Sequence, residues 1–163
     1  MKKQTKETLD NFYRKEDPWK YKTNTDDLKR KELILREIKS LNTHFERALD
    51  LGAGEAWITK DLSADKIYGY EISDVAANRF PDNVERVLEL DGKYDLILLC
   101  GVLYPEYKAG ELMDMVMKHA NGYIITCHIK KAEINNLPFQ IKEYEFKYRQ
   151  YTERIAIYDF RNS

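Results

Sequence analysis

The sequence predicts a single α/β domain with a mainly parallel sheet, helices on both faces and an antiparallel hairpin at the C-terminus. Short apolar runs alternate with helical patterns along residues 26–129, as expected for a layered α/β domain. The run YDLILLC at 94–100 is almost continuously apolar, which is typical of a parallel strand buried on both faces. Residues 139–148 and 154–160 instead alternate polar with aromatic or β-branched side chains around a tight connection at 150–153, which indicates a hairpin.

The remaining elements follow from hydrophobic periodicity. Residues 26–41 are predicted to form an amphipathic helix, with Thr25 or Asp26 as its N-terminal cap. The apolar stripe of this helix would consist of Leu28, Leu35, Ile38 and Leu41. Further strands are predicted at 47–51, 66–72 and 122–129, and further helices at 55–62 and 109–119.

The segment PDNVERVLELDGK at 81–93 is compatible with a strand or a helix. A parallel strand here would leave only about four residues before the next strand, whereas a parallel crossover usually takes about a dozen. A helix would begin with a capping box at Asp82 and would align three apolar side chains, Val84, Val87 and Leu88. We therefore expect a helix over 82–90, which would leave the sheet without one of its usual edge strands.

Length, composition and charge restrict the class of protein. The 163 residues suffice for one domain with a real core, and the net charge of −1 offers no general attraction for nucleic acid or anionic lipid. A local basic patch on a nucleic-acid-binding face stays compatible with this charge. No apolar run approaches the roughly 18 residues that span a bilayer, and the N-terminus lacks the apolar stretch of a signal peptide. We expect a cytoplasmic protein that spans no membrane, with Cys100 and Cys127 as buried thiols and no metal site.

The segment ALDLGAGEA at 48–56 places small residues directly after a predicted strand. Gly52 and Gly54 would let the chain turn sharply and let a ligand approach the main chain, although a tight turn without a ligand is the alternative. Glu71 ends the second predicted strand 17 residues after Gly54, where a carboxylate can bind both ribose hydroxyls of an adenosine-containing ligand. The two features together predict a nucleoside site at the carboxyl end of the first strand.

The pattern D-x-G-x-G-x-A from Asp50 to Ala56 resembles the first motif of class I S-adenosylmethionine-dependent methyltransferases. A nicotinamide-binding protein would usually have G-x-G-x-x-G, and the third glycine is absent from the required place. The segment GYEIS and the segment YDLILLCGVLYPEY are also similar to family segments, and the likeness covers residues 45–160. The resemblance implies a Rossmann-like fold with S-adenosyl-L-methionine as cofactor, bound by Asp50, Gly52, Ala53, Gly54, Glu71, Ile72 and Cys100.

The segment EDPWKYKTNTDDLKRKELIL, followed later by GVLYPEY, is similar to the nodulation-type methyltransferases. In that group a tryptophan and an arginine close over the cofactor, and Trp19 and Arg30 occupy those positions here. The resemblance implies that Arg30 holds the methionine carboxylate and that Trp19 covers the ligand. A solvated helix charge and a core aromatic are the alternative interpretations. We expect residues 1–24 to form a cover segment over the cofactor cleft.

Two positions depart from the family pattern. Ala56 replaces a glycine, which its methyl group allows if the local φ angle is negative. The acidic residue that usually contacts the adenine amino group has no clear counterpart, and Asp91 is the nearest candidate.

The acceptor is expected to be a small molecule, for example a sugar-like one, methylated on an O or an N atom. No N/D-P-P-Y/F segment occurs, which disfavours the methylation of base amino groups. Tyr104 and Glu106 follow the predicted strand at 94–100, and His128 lies near the end of the predicted strand at 122–129; Tyr104 and His128 are the candidate catalytic residues. The alternative function is a non-catalytic S-adenosylmethionine-binding or partner subunit.

Overall fold

The computed structural model describes residues 4–104, 109–132, 134 and 138–162. Within these residues seven strands form one sheet: β1 (Arg47–Leu51), β2 (Lys66–Tyr70), β3 (Val84–Val87), β4 (Tyr94–Cys100), β5 (Ala120–Ile129), β6 (Gln140–Tyr148) and β7 (Tyr151–Asp159). Their order in the sheet is β3-β2-β1-β4-β5-β7-β6. Strands β1 to β5 are parallel, whereas β7 is antiparallel to both of its neighbours. The predicted fold class, including the terminal hairpin, is confirmed.

Four α-helices are present in the described residues: α1 (Lys6–Phe12), α2 (Thr25–Ser40), α3 (Asp74–Ala77) and α4 (Ala109–Met117). Strand β4 shows how they cover the sheet. Leu96 and Leu98 belong to the core that includes Ile34 of α2, whereas Ile97 and Leu99 belong to a second core. The second core includes Met113 of α4, so each face of the sheet has its own helical layer. None of the described helices has the length and apolarity needed to cross a membrane.

The prediction of a helix over 82–90 was wrong. Residues Val84–Val87 form β3, which pairs with β2 and supplies the edge strand that we expected to be absent. Residues 88–93 return to β4 without regular structure, so no crossover helix is needed. Three strand spacings span about 14 Å across the sheet and a short strand about 13 Å along it, so the diagonal is about 20 Å, and seven extended residue steps reach about 23–25 Å. An extended connection is therefore long enough without a helix.

Helix α2 has the predicted position but a different buried face. Its cap is Asn24, whose side chain accepts hydrogen bonds from two backbone N–H groups, rather than Thr25 or Asp26. Leu28, placed on the apolar stripe by periodicity, is 46% exposed. The buried positions are Asp27, Arg30, Ile34, Glu37 and Ile38. Three charged side chains thus face inward, which is possible only because other elements supply their partners.

The C-terminal hairpin supplies those partners. Tyr148 of β6 lies opposite Tyr151 of β7, so the connection consists of Arg149 and Gln150 and is shorter than the predicted one. On the hairpin, Tyr148 and Glu153 contact the buried charges of α2 near its N-terminus. The hairpin therefore brings polar groups from the end of the chain to the helix near its start.

Candidate functional site

A cavity of about 830 Å³ opens at the carboxyl ends of β1, β2 and β4, within the range of about 300–1,000 Å³ that is usual for ligand pockets. Its floor is the turn after β1, with Gly52 and Gly54. Aromatic residues of the N-terminal segment and residues of the β6–β7 hairpin form its walls. The cavity therefore lies where the glycine pattern placed a ligand.

The turn after β1 requires glycine for two physical reasons. Gly52 has a φ angle of +83°, and a Cβ atom there would lie 2.1 Å from Cγ1 of Val102. Gly54 has a φ angle of +58°, and a Cβ atom there would lie 2.9 Å from the Tyr13 hydroxyl oxygen. The backbone N–H of Gly52 donates to the Tyr70 carbonyl at 2.8 Å, which holds the turn against β2. The space above both glycines is occupied by side chains that also line the cavity.

The chain after this turn departs from two expectations. Residues 55–62 are not an α-helix but a series of turns that ends in a short 3-10 segment, Thr59–Asp61. Ala56, expected to have a negative φ angle, has φ at +59° and is fully buried. The Thr59 hydroxyl donates to Asp50 Oδ2 at 2.6 Å, which pulls this segment back onto the end of β1. The left-handed conformation of Ala56 accompanies that tight return and costs about 1–2 kcal/mol.

Glu71 joins the ends of β1 and β2. Its carboxylate accepts one hydrogen bond from the Gly54 N–H at 2.9 Å and another from the Ser73 N–H at 2.8 Å. A carboxylate has about four acceptor sites, so further donors can still be bound. Burial raises the pKa of Glu71, and the two backbone N–H groups oppose that rise. The exposed-carboxylate alternative for Glu71 is excluded, because only 6% of the residue is accessible.

Asp50 is the second acidic group in the cavity wall. It is the penultimate residue of β1, and 4% of its surface is exposed. Burial raises the pKa of Asp50 to about 7, and the nearby charge of Glu71 adds to that shift. A cation bound in the cavity would favour the ionised form of Asp50.

Arg30 belongs to a buried network of charges. Its Nη2 donates to Asp27 Oδ1 at 2.9 Å, and its Nη1 donates to Glu153 Oε1 at 3.3 Å. The Tyr148 hydroxyl also donates to Asp27, at 2.6 Å, while the Tyr148 ring lies 4.3 Å from the guanidinium carbon of Arg30. Arg30 Nε has no hydrogen-bond partner among the described residues. Arg30 is 5% exposed and lines the cavity, so it is not a solvated helix charge.

Aromatic side chains of the N-terminal segment form a continuous wall. Trp19 stacks on Tyr21 with ring centroids 6.4 Å apart, and Tyr21 stacks on Trp57 at 5.8 Å. The Trp19 indole N–H donates to the Tyr13 hydroxyl at 3.3 Å. This wall therefore connects the N-terminal segment to the turn at Gly54.

Polar contacts attach the N-terminal segment at three places. Asp10 of α1 accepts from the Ser73 hydroxyl at 2.6 Å, beside Glu71. The Asp17 N–H donates to Glu55 Oε2 at 2.9 Å. Arg149 Nη2 donates to the Trp19 carbonyl at 3.0 Å, which joins the segment to the hairpin.

The cavity brings together most of the residues singled out in the sequence. Its lining contains Tyr104 together with all nine expected cofactor residues: Trp19, Arg30, Asp50, Gly52, Ala53, Gly54, Glu71, Ile72 and Cys100. Cys100 is half-buried rather than fully buried, and Cys127 is buried; both are free thiols.

Two further candidates, His128 and Asp91, are described but are not part of the cavity lining. His128 is buried on β5, with its Nδ1 3.0 Å from the Ile129 carbonyl, and burial lowers its pKa. It does not line the cavity, so its position does not support the proposed catalytic role. Asp91 is likewise outside the lining, with an 83% exposed side chain paired with Arg47, and is not placed to contact an adenine. Glu106 lies outside the described residues.

The contribution of the hairpin to the cavity was not predicted from the sequence. Tyr148, Arg149 and Glu153 all line the cavity. A signal was present in β7, where Glu153 shares the buried face with Ile155 and Ile157. A carboxylate on an otherwise apolar face of a strand indicates a buried partner or a site.

No protein-family model matches the chain, and no curated protein matches it in sequence. Solved structures do match. The N-methyltransferase NodS from Bradyrhizobium japonicum WM9, in complex with S-adenosyl-L-homocysteine, has a TM-score of 0.81 at 13% identity, covering 94% of this chain and 96% of that one.

Two further structures match over nearly their whole length. Magnesium protoporphyrin IX methyltransferase from Synechocystis PCC 6803, with bound S-adenosylmethionine, has a TM-score of 0.69 at 14% identity, covering 96% of this chain and 98% of that one. A Pyrococcus horikoshii protein whose proposed activity is RNA methylation has a TM-score of 0.66 at 13% identity, covering 95% and 98%. The chain therefore has the fold of the class I S-adenosylmethionine-dependent methyltransferases, and its resemblance to the nodulation-type enzymes extends over nearly the whole fold.

Proposed function

We propose that this protein binds S-adenosyl-L-methionine and transfers its methyl group to an N or O atom of a small-molecule acceptor. One observation carries the proposal: the glycine turn after β1 and the buried carboxylate after β2 meet at the floor of one cavity. Glu71 and Gly54 are hydrogen-bonded at 2.9 Å there. The solved structures of the same fold that contain this cofactor or its product support the assignment.

The residues present fit this cofactor. Glu71 has acceptor sites left for ribose hydroxyls, and the turn at Gly52 and Gly54 lines the same cavity beside it. Arg30 lines the cavity, and its guanidinium is the group that would contact a methionine carboxylate. Asp50, whose pKa is raised by burial to about 7, would ionise more fully beside an ammonium group.

The other lining residues would enclose the reaction. Ile72 and Cys100 would contact the nucleoside, and Trp19 with Tyr21 would cover it as part of a cover segment formed by residues 1–24. When bound, the cofactor supplies a methyl group activated on a sulfonium. The protein's part is to align the acceptor with that group, exclude water and remove a proton where the acceptor carries one. Tyr104 lines the cavity and is the candidate for contact with the acceptor.

A small acceptor fits this chain better than a nucleic acid. The net charge of −1 supplies no general attraction for phosphate backbones. The cavity is walled on two sides by the N-terminal segment and the hairpin, which restricts access to small groups. A small molecule can enter such a cavity whole, whereas a polymer would have to present one group to it.

The decisive experiment combines binding and turnover. Calorimetry with S-adenosylhomocysteine should show one saturable site. Transfer of label from methyl-labelled S-adenosylmethionine to a small-molecule extract of cells should then show an acceptor. No binding would contradict the proposal. Binding without transfer to the extract, to RNA or to protein would instead favour a non-catalytic cofactor-binding subunit.

A further inference from the structure

Glu153 is a buried carboxylate in the cavity wall. It pairs with Arg30 but is not among the residues proposed to bind the cofactor. It lies on β7 with 3% of its surface exposed. Its Oε1 accepts from Arg30 Nη1, and its Oε2 accepts from the Cys127 thiol, each at 3.3 Å. The distance from Arg30 is long for a charge-assisted N–H···O hydrogen bond, and a thiol is a weak donor. Because a carboxylate offers about four acceptor sites, Glu153 keeps capacity for a donor in the cavity.

The charge of Glu153 is only partly compensated. Three groups face it: Arg30 and Asp27 from α2, and Cys127 from β5. Arg30 is shared with Asp27, which it contacts at the shorter distance of 2.9 Å. Burial raises the pKa of Glu153 above its ordinary value. A carboxylate in such surroundings binds a proton more readily than one in water.

The position of Glu153 separates it from the proposed ribose site. It lies opposite Ile129 at the carboxyl end of β5, and Ile129 also lines the cavity. Glu71 follows β2, and β1 and β4 lie between β2 and β5 in the sheet. Glu153 and Glu71 are thus at opposite sides of one cavity, which leaves Glu153 on the side where an acceptor would enter.

We propose that Glu153 binds the amino group of the acceptor and removes its proton, and hence that the acceptor is a primary or secondary amine. This inference rests on the proposed methyl transfer. In the step, the acceptor ammonium gives one proton to the Glu153 carboxylate, which becomes a carboxylic acid. The nitrogen keeps the electron pair of the broken N–H bond and forms the new N–C bond with the methyl group. The electrons of the broken C–S bond stay on sulfur.

The charges of the cavity favour an amine over a hydroxyl acceptor. Its described lining contains four carboxyl groups, of Asp50, Glu55, Glu71 and Glu153, and two guanidinium groups, of Arg30 and Arg149. Asp27 is the ion-pair partner of both guanidinium groups and Arg79 that of Glu55, so with these partners five carboxyl groups face three guanidinium groups. An ammonium would be attracted to this site, whereas the alkoxide or phenolate formed from a hydroxyl acceptor would be repelled. An ammonium also loses its proton more readily than an alcohol, so a carboxylate is a sufficient base.

The acceptor class can be tested without knowing the acceptor. A small-molecule extract is divided, and the amines of one half are blocked with the N-hydroxysuccinimide ester of acetic acid. The intact protein with methyl-labelled S-adenosylmethionine should transfer label to the untreated half only. Transfer to both halves alike would overturn the inference and leave the proposed methyl transfer standing. Transfer to neither half would count against the proposed methyl transfer, and the role of Glu153 would fall with it.

The role of the residue is tested by Glu153→Gln, with Glu145→Gln as the control. Glu145 is an exposed carboxylate on the same hairpin and does not line the cavity. We expect Glu153→Gln to lower kcat at least 100-fold and to abolish the rise of kcat with pH, and Glu145→Gln to change neither. Glu153→Asp keeps the charge beside Arg30 and should keep the affinity for S-adenosylhomocysteine while kcat stays low, because the carboxylate is displaced.

A second measurement does not depend on turnover. The measurement is the NMR spectrum of protein labelled with carbon-13 at the Glu side-chain carboxyl and saturated with S-adenosylhomocysteine. The untreated half of the extract should change the chemical shift of the Glu153 carboxyl, whose signal is identified by its absence from the Glu153→Gln spectrum. The amine-blocked half should not. Wild-type turnover by Glu153→Gln with unchanged cofactor affinity, or equal shifts with both halves, would overturn the role of Glu153.

Discussion

The Glu71 carboxylate accepts a hydrogen bond from the Gly54 N–H at 2.9 Å, which joins the end of β2 to the glycine turn after β1. The same carboxylate is the group that we expect to bind the ribose. Cofactor binding and the shape of the turn are therefore coupled through one side chain.

The first prediction follows from that contact. Glu71→Ala should weaken S-adenosylhomocysteine binding by about 1–3 kcal/mol, because buried hydrogen bonds to the ribose are lost. Calorimetry measures the effect. Glu85→Ala is the control, since Glu85 is an exposed residue of β3 and does not line the cavity. Equal affinity of wild type and Glu71→Ala would contradict the assignment of the ribose site.

The second prediction concerns the crowding at Gly52. Gly52→Ala should lower the free energy of unfolding by about 1–3 kcal/mol, because the new methyl group meets Val102 and the φ angle is positive. Adding Val102→Ala should recover the steric part of the loss. Gly110→Ala is the matched control: no atom lies within 4 Å of its added Cβ, and the position is helical, so stability should rise by about 0.5–1 kcal/mol. Urea unfolding that ranks the two alanine variants equally would refute the argument.

The third prediction concerns pH. The pKa of Asp50 in the folded protein is about 7, above its value of 3.8 in an unfolded chain. Between these values Asp50 holds a proton in the folded state that it has lost in the unfolded state. The contribution of Asp50 to the free energy of unfolding therefore falls as pH rises from about 4 to about 7. Asp50→Asn should reduce the loss of stability between pH 5 and pH 8 by about 1–3 kcal/mol. Urea unfolding of both proteins at each pH measures it, and parallel losses would show that Asp50 does not titrate there.

Ligand binding should lower the pKa of Asp50 again. The ammonium group of S-adenosylhomocysteine would favour the ionised carboxylate, so binding near pH 6 should release a proton. Calorimetry in two buffers of different ionisation enthalpy detects the release. Asp50→Asn should abolish it, and proton release that survives the substitution would have to come from another group.

The fourth prediction concerns the N-terminal segment. Its contacts with the rest of the protein include the bond between Asp10 and Ser73 at 2.6 Å and the bond between Asp17 N–H and Glu55 at 2.9 Å. Bound cofactor would add contacts to Trp19 and Tyr21, so residues 12–24 should exchange amide hydrogens more slowly with S-adenosylhomocysteine. Unchanged exchange there, with protection confined to the turn at 52–56, would show that the segment is no cover.

Two variants support the exchange experiment. Trp19→Ala should weaken S-adenosylhomocysteine binding at least threefold, whereas Phe139→Ala should not, because Phe139 is a half-exposed aromatic outside the cavity lining. Deleting residues 1–22 should lower the affinity while the sheet and its two cores stay folded, as circular dichroism and urea unfolding can show. Full affinity in the shortened protein would count against the cover.

Local patterns in the sequence determined the elements and the floor of the site. The buried run at Tyr94–Cys100 and the short strand at Arg47–Leu51 have the predicted bounds, because their apolar side chains decide the conformation by burial alone. The glycine turn and Glu71 were also recognisable. Each depends on residues close in sequence to a strand end, and parallel strands bring such ends together.

Tertiary structure decided three features that no local pattern predicted: strand β3, the turn at Ala56 and the buried face of α2. Strand β3 forms because an extended connection reaches β4 without a helix, and the positive φ angle of Ala56 accompanies the pull of Thr59 on Asp50. The charged face of α2 is buried because Glu153 reaches Arg30 from 123 residues away. A charge can be buried only where a partner is supplied, and the partner's place is set by how the sheet orders its strands. The sequence by itself therefore predicted the glycine turn and the carboxylate that we propose bind the cofactor, and only the folded hairpin brought Glu153 into the same cavity.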